Sequence, residues 1–171
     1  MGLLHIRWMI RRDMADILQI ENDTFEFSWT EEEFIRCLQQ RNCIGMIAEM
    51  DDRVVGYMVY ELHKNRLHVL NFAVDPAHRR TGIGEKMIMK LAGKLDERRR
   101  ARIMLEVRET NVTAQLFFRA QGFRAVSVLH DFYDDTAEDA YVMQYHVRYR
   151  EPQFNRIHGH LAKLIKDRAS E

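Results

Sequence analysis

Cysteine and proline are scarce, two of each in 171 residues. Cys37 and Cys43 can build neither a disulfide framework nor zinc-ligand spacing, so both read as reduced packing residues. With prolines only at 76 and 152 and no low-complexity linker, the chain offers few domain boundaries, and Pro152 is the one candidate. An excess of either charge is missing too: 26 basic and 26 acidic side chains give a formal net charge of zero. No overall field favours nucleic acid or an anionic membrane, and any such partner would need a local patch. Apolar runs of membrane-spanning length are absent, and arginines interrupt the opening stretch MGLLHIRWMIRRDM, which has no long hydrophobic leader segment. A soluble cytoplasmic protein is the expectation. The histidines are scattered, and the close pair His158 and His160 cannot share one helix face as ligands, so no metal is expected.

What is present suffices for one domain with a sizeable core: 46% of residues are hydrophobic and 10% aromatic. HIRWMI (5–10) reads as a short strand, and Met14, Ile17, Leu18 and the stretch 21–25 continue at helical spacing. Thr30 with Glu33 three residues on is a capping box that opens a second helix through Phe34, Ile35 and Leu38. CIGMIAEM and VVGYMVYEL flank Asp51-Asp52-Arg53, so 43–62 reads as an antiparallel hairpin. LHVLNFAV is another strand, Met87, Ile88, Leu91 and Leu95 share one face of a helix over 84–98, and RIMLEV (102–107) is a further strand. Asn111 opens a helix ending near Gly122, and strands fill 123–131 and 139–147. The fold class is therefore α/β: a mixed sheet with helices on its faces, over residues 1–150. From Pro152 onward, Phe154, Ile157, Leu161, Leu164 and Ile165 recur at helical spacing, which predicts an amphipathic C-terminal extension over 151–171. That helix can pack on its own sheet, cover part of a cleft, or cross to a second copy in a homodimer.

The stretch HRRTGIG (78–84) lies between the strand ending at Asp75-Pro76 and the helix after it. A helix starting there leaves several backbone N–H groups unpaired at its N-terminus. Gly82 and Gly84 let a phosphate approach the backbone, and Arg79 and Arg80 add charge that a diphosphate can use. The other reading is an ordinary basic turn with a glycine cap. The loop is not a Walker sequence, because no Gly-Lys-Ser/Thr follows, and not a dinucleotide fingerprint, because the third glycine is absent.

The run Arg79-Arg80-Thr81-Gly82-Ile83-Gly84 does resemble the R/Q-x-x-G-x-G/A loop of the GNAT acetyltransferases. NFAVDPAHRRTGIGEKMI and LEVRETNVTAQLFFRAQGF together look like the signature core of the RimI-type ribosomal-protein N-terminal alanine acetyltransferases. The resemblance implies the GNAT fold, with acetyl-CoA lying across splayed parallel strands at 67–74 and 102–107. The pyrophosphate would meet the backbone of Arg79, Arg80, Thr81, Gly82, Ile83 and Gly84. The pantetheine would pair with main-chain groups near Phe72, Ala73 and Val74, because strands that separate leave edge groups unpaired.

Acyl transfer to an amine needs a base to deprotonate it and a means of stabilising the departing thiolate. Glu106, at the end of RIMLEV, is the candidate base: alternation puts it on the face of Met104, and the family glutamate at this place has that role. The competing reading pairs this carboxylate with Arg108. Asn111 reads as a helix cap reaching Ala114 N–H, and the resemblance adds a contact to the pantetheine. Phe118 departs from the pattern, because RimI-like enzymes carry a tyrosine there as general acid in the cofactor site. Water, backbone groups or Tyr133 from HDFYDD must then serve, and Tyr133 also matches a family tyrosine that holds the peptide. Phe25, Phe27 and Trp29 stand where the family forms its acceptor wall, although they read equally as core. The acidic run Asp131, Asp134, Asp135, Glu138 and Asp139 can attract a cationic N-terminus or a polyamine, or be a solvated loop. Arg98, Arg99, Arg100 and Arg102 form a basic patch at a helix end, where cations are favoured without any nucleic acid. The expected activity is acetyl transfer from acetyl-CoA to a primary amine, foremost a protein N-terminal amine. The alternatives are a small amine such as a polyamine or aminoglycoside as acceptor, a non-catalytic acyl-CoA-binding module, and an interaction protein working through the C-terminal helix and arginine patch.

Overall fold

A computed structural model describes residues 2–149, so the predicted extension 151–171 lies outside the described residues. Within them, seven strands form one mixed sheet in the order β1-β2-β3-β4-β5-β7-β6. Strand β1 (His5–Trp8) pairs antiparallel with β2 (Cys43–Met50), and the chain between them folds into helices α1 (Met14–Thr24) and α2 (Glu31–Leu38). The Thr30–Glu33 capping box forms as expected: Thr30 Oγ1 accepts from Glu33 N at 3.3 Å, and Glu33 Oε2 accepts from Thr30 N at 2.7 Å. β2 turns at Asp51 and Asp52, both at positive φ, into β3 (Arg53–Leu62), and β3 pairs antiparallel with β4 (Arg66–Val74). Helix α3 (Ile83–Ala92) crosses over to β5 (Arg102–Arg108), parallel to β4. Helix α4 (Val112–Ala120) leads to β6 (Arg124–Tyr133) and β7 (Glu138–His146), with β7 inserted between β5 and β6.

Each face of the sheet carries its own apolar cluster. One gathers Leu67, Ile103, Met58 and Phe123 with Met87 and Leu91 of α3, and the other gathers Ile47, Tyr57 and Val59 with Ile17 of α1 and Phe34 of α2. Alternation along β3 divides Tyr57 and Val59 from Met58 and Tyr60, as a strand covered on both faces requires. Cys37 and Cys43 are free thiols, and burial pushes both pKa values up, which fits packing rather than reactivity. Among the described residues no helix is long and apolar enough to cross a membrane.

Helix α3 is shorter than the apolar spacing predicts and stops at Ala92 instead of Arg98. Gly93 weakens its end, and the Asp96 carboxylate accepts from Arg98 N at 2.7 Å, a local turn that competes with helix. Arg98, Arg99 and Arg100 thus belong to a turn and not to a helix terminus.

The relation of β4 to its two neighbours positions everything functional. On the β3 side Asn71 faces Val59 and Val69 faces Tyr60, so Leu70 is an extra, bulged residue. On the other side only Arg66–His68 pair with Arg102–Met104, after which β4 and β5 part. Beyond His68 the facing edges of these two strands have no strand partner, and a wedge opens between them.

Glu21, 1% exposed in the last turns of α1, ties the wedge to the helical layer. Its carboxylate accepts from Tyr57 Oη, from Asn71 Nδ2 at 3.1 Å, and from Trp29 N at 2.7 Å. Burial, reinforced by the adjacent carboxylate, pushes the Tyr57 phenol far above its ordinary pKa, so it stays a donor. One buried acid therefore joins α1, the α1–α2 loop, β3 and the bulged stretch of β4. Glu21→Ala would leave Trp29 N and Asn71 Nδ2 unmatched and Tyr57 Oη with only Asn71 Oδ1 at 3.2 Å, and is expected to cost about 3 kcal/mol or more, read from urea unfolding.

Candidate active site

The loop between β4 and α3 is built to present backbone N–H groups. After a 3-10 turn at Pro76–His78, the Asp75 carboxylate accepts from Ala77 N at 3.1 Å and bonds His78 Nδ1 at 2.8 Å. Thr81 Oγ1 donates to His78 O at 2.6 Å. Arg80 at φ 61° and Gly82 at φ 83° both take the left-handed backbone that turns the chain into the helix. No side chain caps α3 at Gly82, so its first amides face outward, an arrangement suited to a phosphate. A Cβ on Gly84 would stand 3.0 Å from Phe117 Cζ, which accounts for the second glycine by packing. Arg79 departs from expectation: its Nε donates to Val74 O at 3.1 Å and its Nη2 to Thr24 Oγ1 at 3.0 Å, tying the loop to α1. Phe72, Ala73 and Val74 lie on the part of β4 that has left β5.

Glu106 lies two residues past Met104, the last β5 residue paired with β4, with its side chain one-fifth exposed. It does not pair with Arg108. Both its oxygens bond His68 Nε2, at 3.0 and 2.7 Å. His68 and, behind it, Glu61 and His63 were invisible to a reading that tested histidines for helical spacing, because only the β3–β4 register brings them together. The cross-strand pair Glu61 and His68 is the signal that a hairpin prediction could have supplied.

Arg108 instead joins the two walls of the wedge. Its guanidinium bonds Asp135 at 2.9 and 2.6 Å, lies 3.8 Å over the Tyr133 ring, and stands 5.3 Å from the Phe27 ring. Phe27 is thus the exposed member of the predicted aromatic wall, while Phe25 and Trp29 pack on the α1–α2 cluster. The acidic run is largely engaged, by the end of β5 and within its own hairpin. Asp135 and Glu138 hold Arg108, and Asp139 accepts from Asp131 N and pairs with His130.

A model of the acetyltransferase (GNAT) family matches residues 14–123. The chain belongs to the GNAT acetyltransferases. It is 27% identical over 133 residues to the [ribosomal protein bS18]-alanine N-acetyltransferase of Salmonella typhimurium, spanning 77% of this chain and 89% of that one. Its fold superposes on the crystal structure of the Escherichia coli ribosomal-protein-S18-alanine N-acetyltransferase with a TM-score of 0.76, at 24% identity, over 85% of this chain and 94% of that one. Against Arabidopsis thaliana NAA60 in complex with acetyl-CoA the TM-score is 0.73 at 18% identity, over 84% of this chain and 99% of that one. The uncapped helix, the left-handed glycine and the open strand edges fit the pyrophosphate and pantetheine that a GNAT acetyltransferase must hold.

In this GNAT domain Asn111 caps α4, its Oδ1 accepting from Ala114 N at 3.0 Å. Phe118 is 7% exposed and packed against Phe72, Phe117 and Phe123 at centroid distances of 6.1, 5.2 and 5.3 Å. It floors the wedge as part of the core and offers no proton. Tyr133 ends β6 rather than standing in a loop after it. Burial pushes its phenol up to about 12, with Arg108 opposing and Glu106, Glu138 and Asp135 reinforcing, so it remains a neutral donor at physiological pH.

The hydrogen bond from Arg108 leads the interactions that hold Asp135 below the usual carboxylate range, and Thr110 leads those that lower Glu138, with Thr136 and Arg108 adding to it. A depressed carboxylate stabilises the fold above its ordinary pKa and loses that contribution as pH falls through the folded value. Arg108→Ala is therefore expected to be less stable than the parent at pH 7. The difference should narrow as pH falls below about 4 and through the lowered folded values, which thermal melts across pH would show.

Proposed function

We propose that this GNAT acetyltransferase moves an acetyl group from acetyl-CoA to the α-amine of a protein N-terminus. The observation that carries the reading is Glu106, set just past the parting of β4 and β5, oriented by His68 and neighboured by Tyr133. Bound acetyl-CoA supplies an activated thioester. The chain's task is to hold it and prepare the amine. An α-amine with an ordinary pKa near 8 is mostly protonated at neutral pH, so a base must take a proton before attack. Glu106 accepts that proton, directly or through one water, while the bond to His68 fixes the carboxylate's orientation. Tyr133 fills the role left open by Phe118: its neutral hydroxyl donates toward the departing sulfur or holds the peptide carbonyl. The Phe27–Arg108–Tyr133 stack bridges the α1–α2 loop and the β6–β7 hairpin, a wall suited to an extended peptide's first residues.

The relatives support the acceptor class, since the Salmonella protein is named for acetylating an alanine of a ribosomal protein. A polyamine finds less support, because Asp135, Glu138 and Asp139 are already held by Arg108 and His130.

Peptides beginning with alanine, serine or methionine are expected to release CoA thiol. Glu106→Gln should lower kcat by about 100-fold or more while acetyl-CoA affinity, by calorimetry, stays within about twofold. Tyr133→Phe should lower kcat by about tenfold or more. Full turnover by Glu106→Gln, or acetylation of polyamines alone, would overturn the proposal.

A further inference from the structure

The β3–β4 turn sets three ligand-type side chains on one face of a hairpin. Glu61 stands opposite His68 in the antiparallel register, and His63, two residues after Glu61, returns to the same face. The turn is closed by His63 N donating to Arg66 O at 3.0 Å, and Arg100 Nε fixes the His63 carbonyl at 2.8 Å. Glu61 Oε2 lies 2.8 Å from His63 Nε2 and 3.9 Å from His68 Nδ1. One ligand atom from each residue falls within 4.8 Å of the others. All three side chains are 22–30% exposed, sheltered but reachable by an ion.

The surroundings support coordination. His68 turns its other nitrogen, Nε2, onto Glu106, and a ligand histidine with a carboxylate on its far nitrogen is the usual outer-shell arrangement at metal sites. Two imidazoles and one carboxylate select a borderline ion of the zinc class over calcium or magnesium. Ligand bonds near 2.1 Å place neighbouring ligand atoms about 3.4 Å apart, so one distance must close and the other open by about half an ångström. Lys64, Arg66 and Arg100 lie on the same turn or against it and oppose a cation, while Glu61 and Glu106 favour one.

We infer that Glu61, His63 and His68 form a binding site for a divalent transition-metal ion of the zinc class, with water completing the coordination. The site adjoins the base. An ion on His68 Nδ1 sits across one imidazole ring from the Glu106 carboxylate that Nε2 already bonds, and its charge opposes the positive charge that builds on an amine attacking beside that carboxylate. The metal is therefore a brake on acetyl transfer, a consequence that rests on Glu106 being the base.

The test is titration of the full chain with Co2+, followed by its visible absorption, and with Zn2+ by calorimetry. Parent protein should bind one ion, His63→Ala and Glu61→Gln should weaken binding by more than about tenfold, and a His158→Ala/His160→Ala variant should bind as the parent does. No binding by the parent, or equal binding by His63→Ala, overturns the site. In turnover assays Zn2+ should slow the parent and spare His63→Ala, whose substituted residue takes no part in the transfer. Metal binding without slowing overturns the brake alone. Metal binding by a chain that acetylates nothing leaves the site standing and refutes the activity.

Discussion

One extra residue in one strand governs the functional half of this molecule. Leu70 bulges out of the β3–β4 ladder, and past that point β4 keeps its partner on one side and has lost it on the other. Unpaired main-chain groups inside a folded protein demand partners. Here they line a wedge whose mouth holds the uncapped start of α3 and whose far wall carries Glu106. A cosubstrate with peptide-like amides and a diphosphate can satisfy both sets of groups. The sheet defect and the candidate binding site are the same feature seen from two sides.

Holding such a wedge open requires support that the sheet no longer supplies. Glu21 provides it behind β4, accepting from β3, β4 and the α1–α2 loop at a single buried carboxylate. Arg108 provides it in front, clamped by Asp135 and Glu138 and stacked between Phe27 and Tyr133. Both are charges whose partners nearly surround them, which makes each geometry stiff. The departure at Phe118 belongs to the packing: the ring completes the aromatic floor with Phe72, Phe117 and Phe123.

Much of this was legible in the chain itself. Local signals with a short physical range were read correctly: the Thr30 capping box, the Asp51-Asp52 turn, the Asn111 cap, and the glycine loop ahead of α3. Hydrophobic periodicity together with these caps and turns placed the strands and most helix bounds, and periodicity failed at α3, where Gly93 and Asp96 ended the helix although Leu95 kept the apolar spacing. The motif around Arg79–Gly84 and the glutamate of RIMLEV were enough to suggest the chemistry.

What a one-dimensional pattern could not hold was partnership between distant residues. Arg79 carries the charge a phosphate would want, yet it is tied to Thr24 and Val74. Glu106 could have met Arg108, its neighbour in the chain, but strand alternation and the β4 register gave it His68. The acidic run around the β6–β7 turn reads as a lure for a cation or a solvated loop, and folding turns it onto Arg108 and His130. The sequence by itself determined the element order, the glycine loop ahead of α3 and the candidate base, because each is written in contiguous residues with short-range physics. Only the tertiary structure decided which charges are engaged and which face the wedge, because ion pairing depends on distances of a few ångströms that register and crossover connections set.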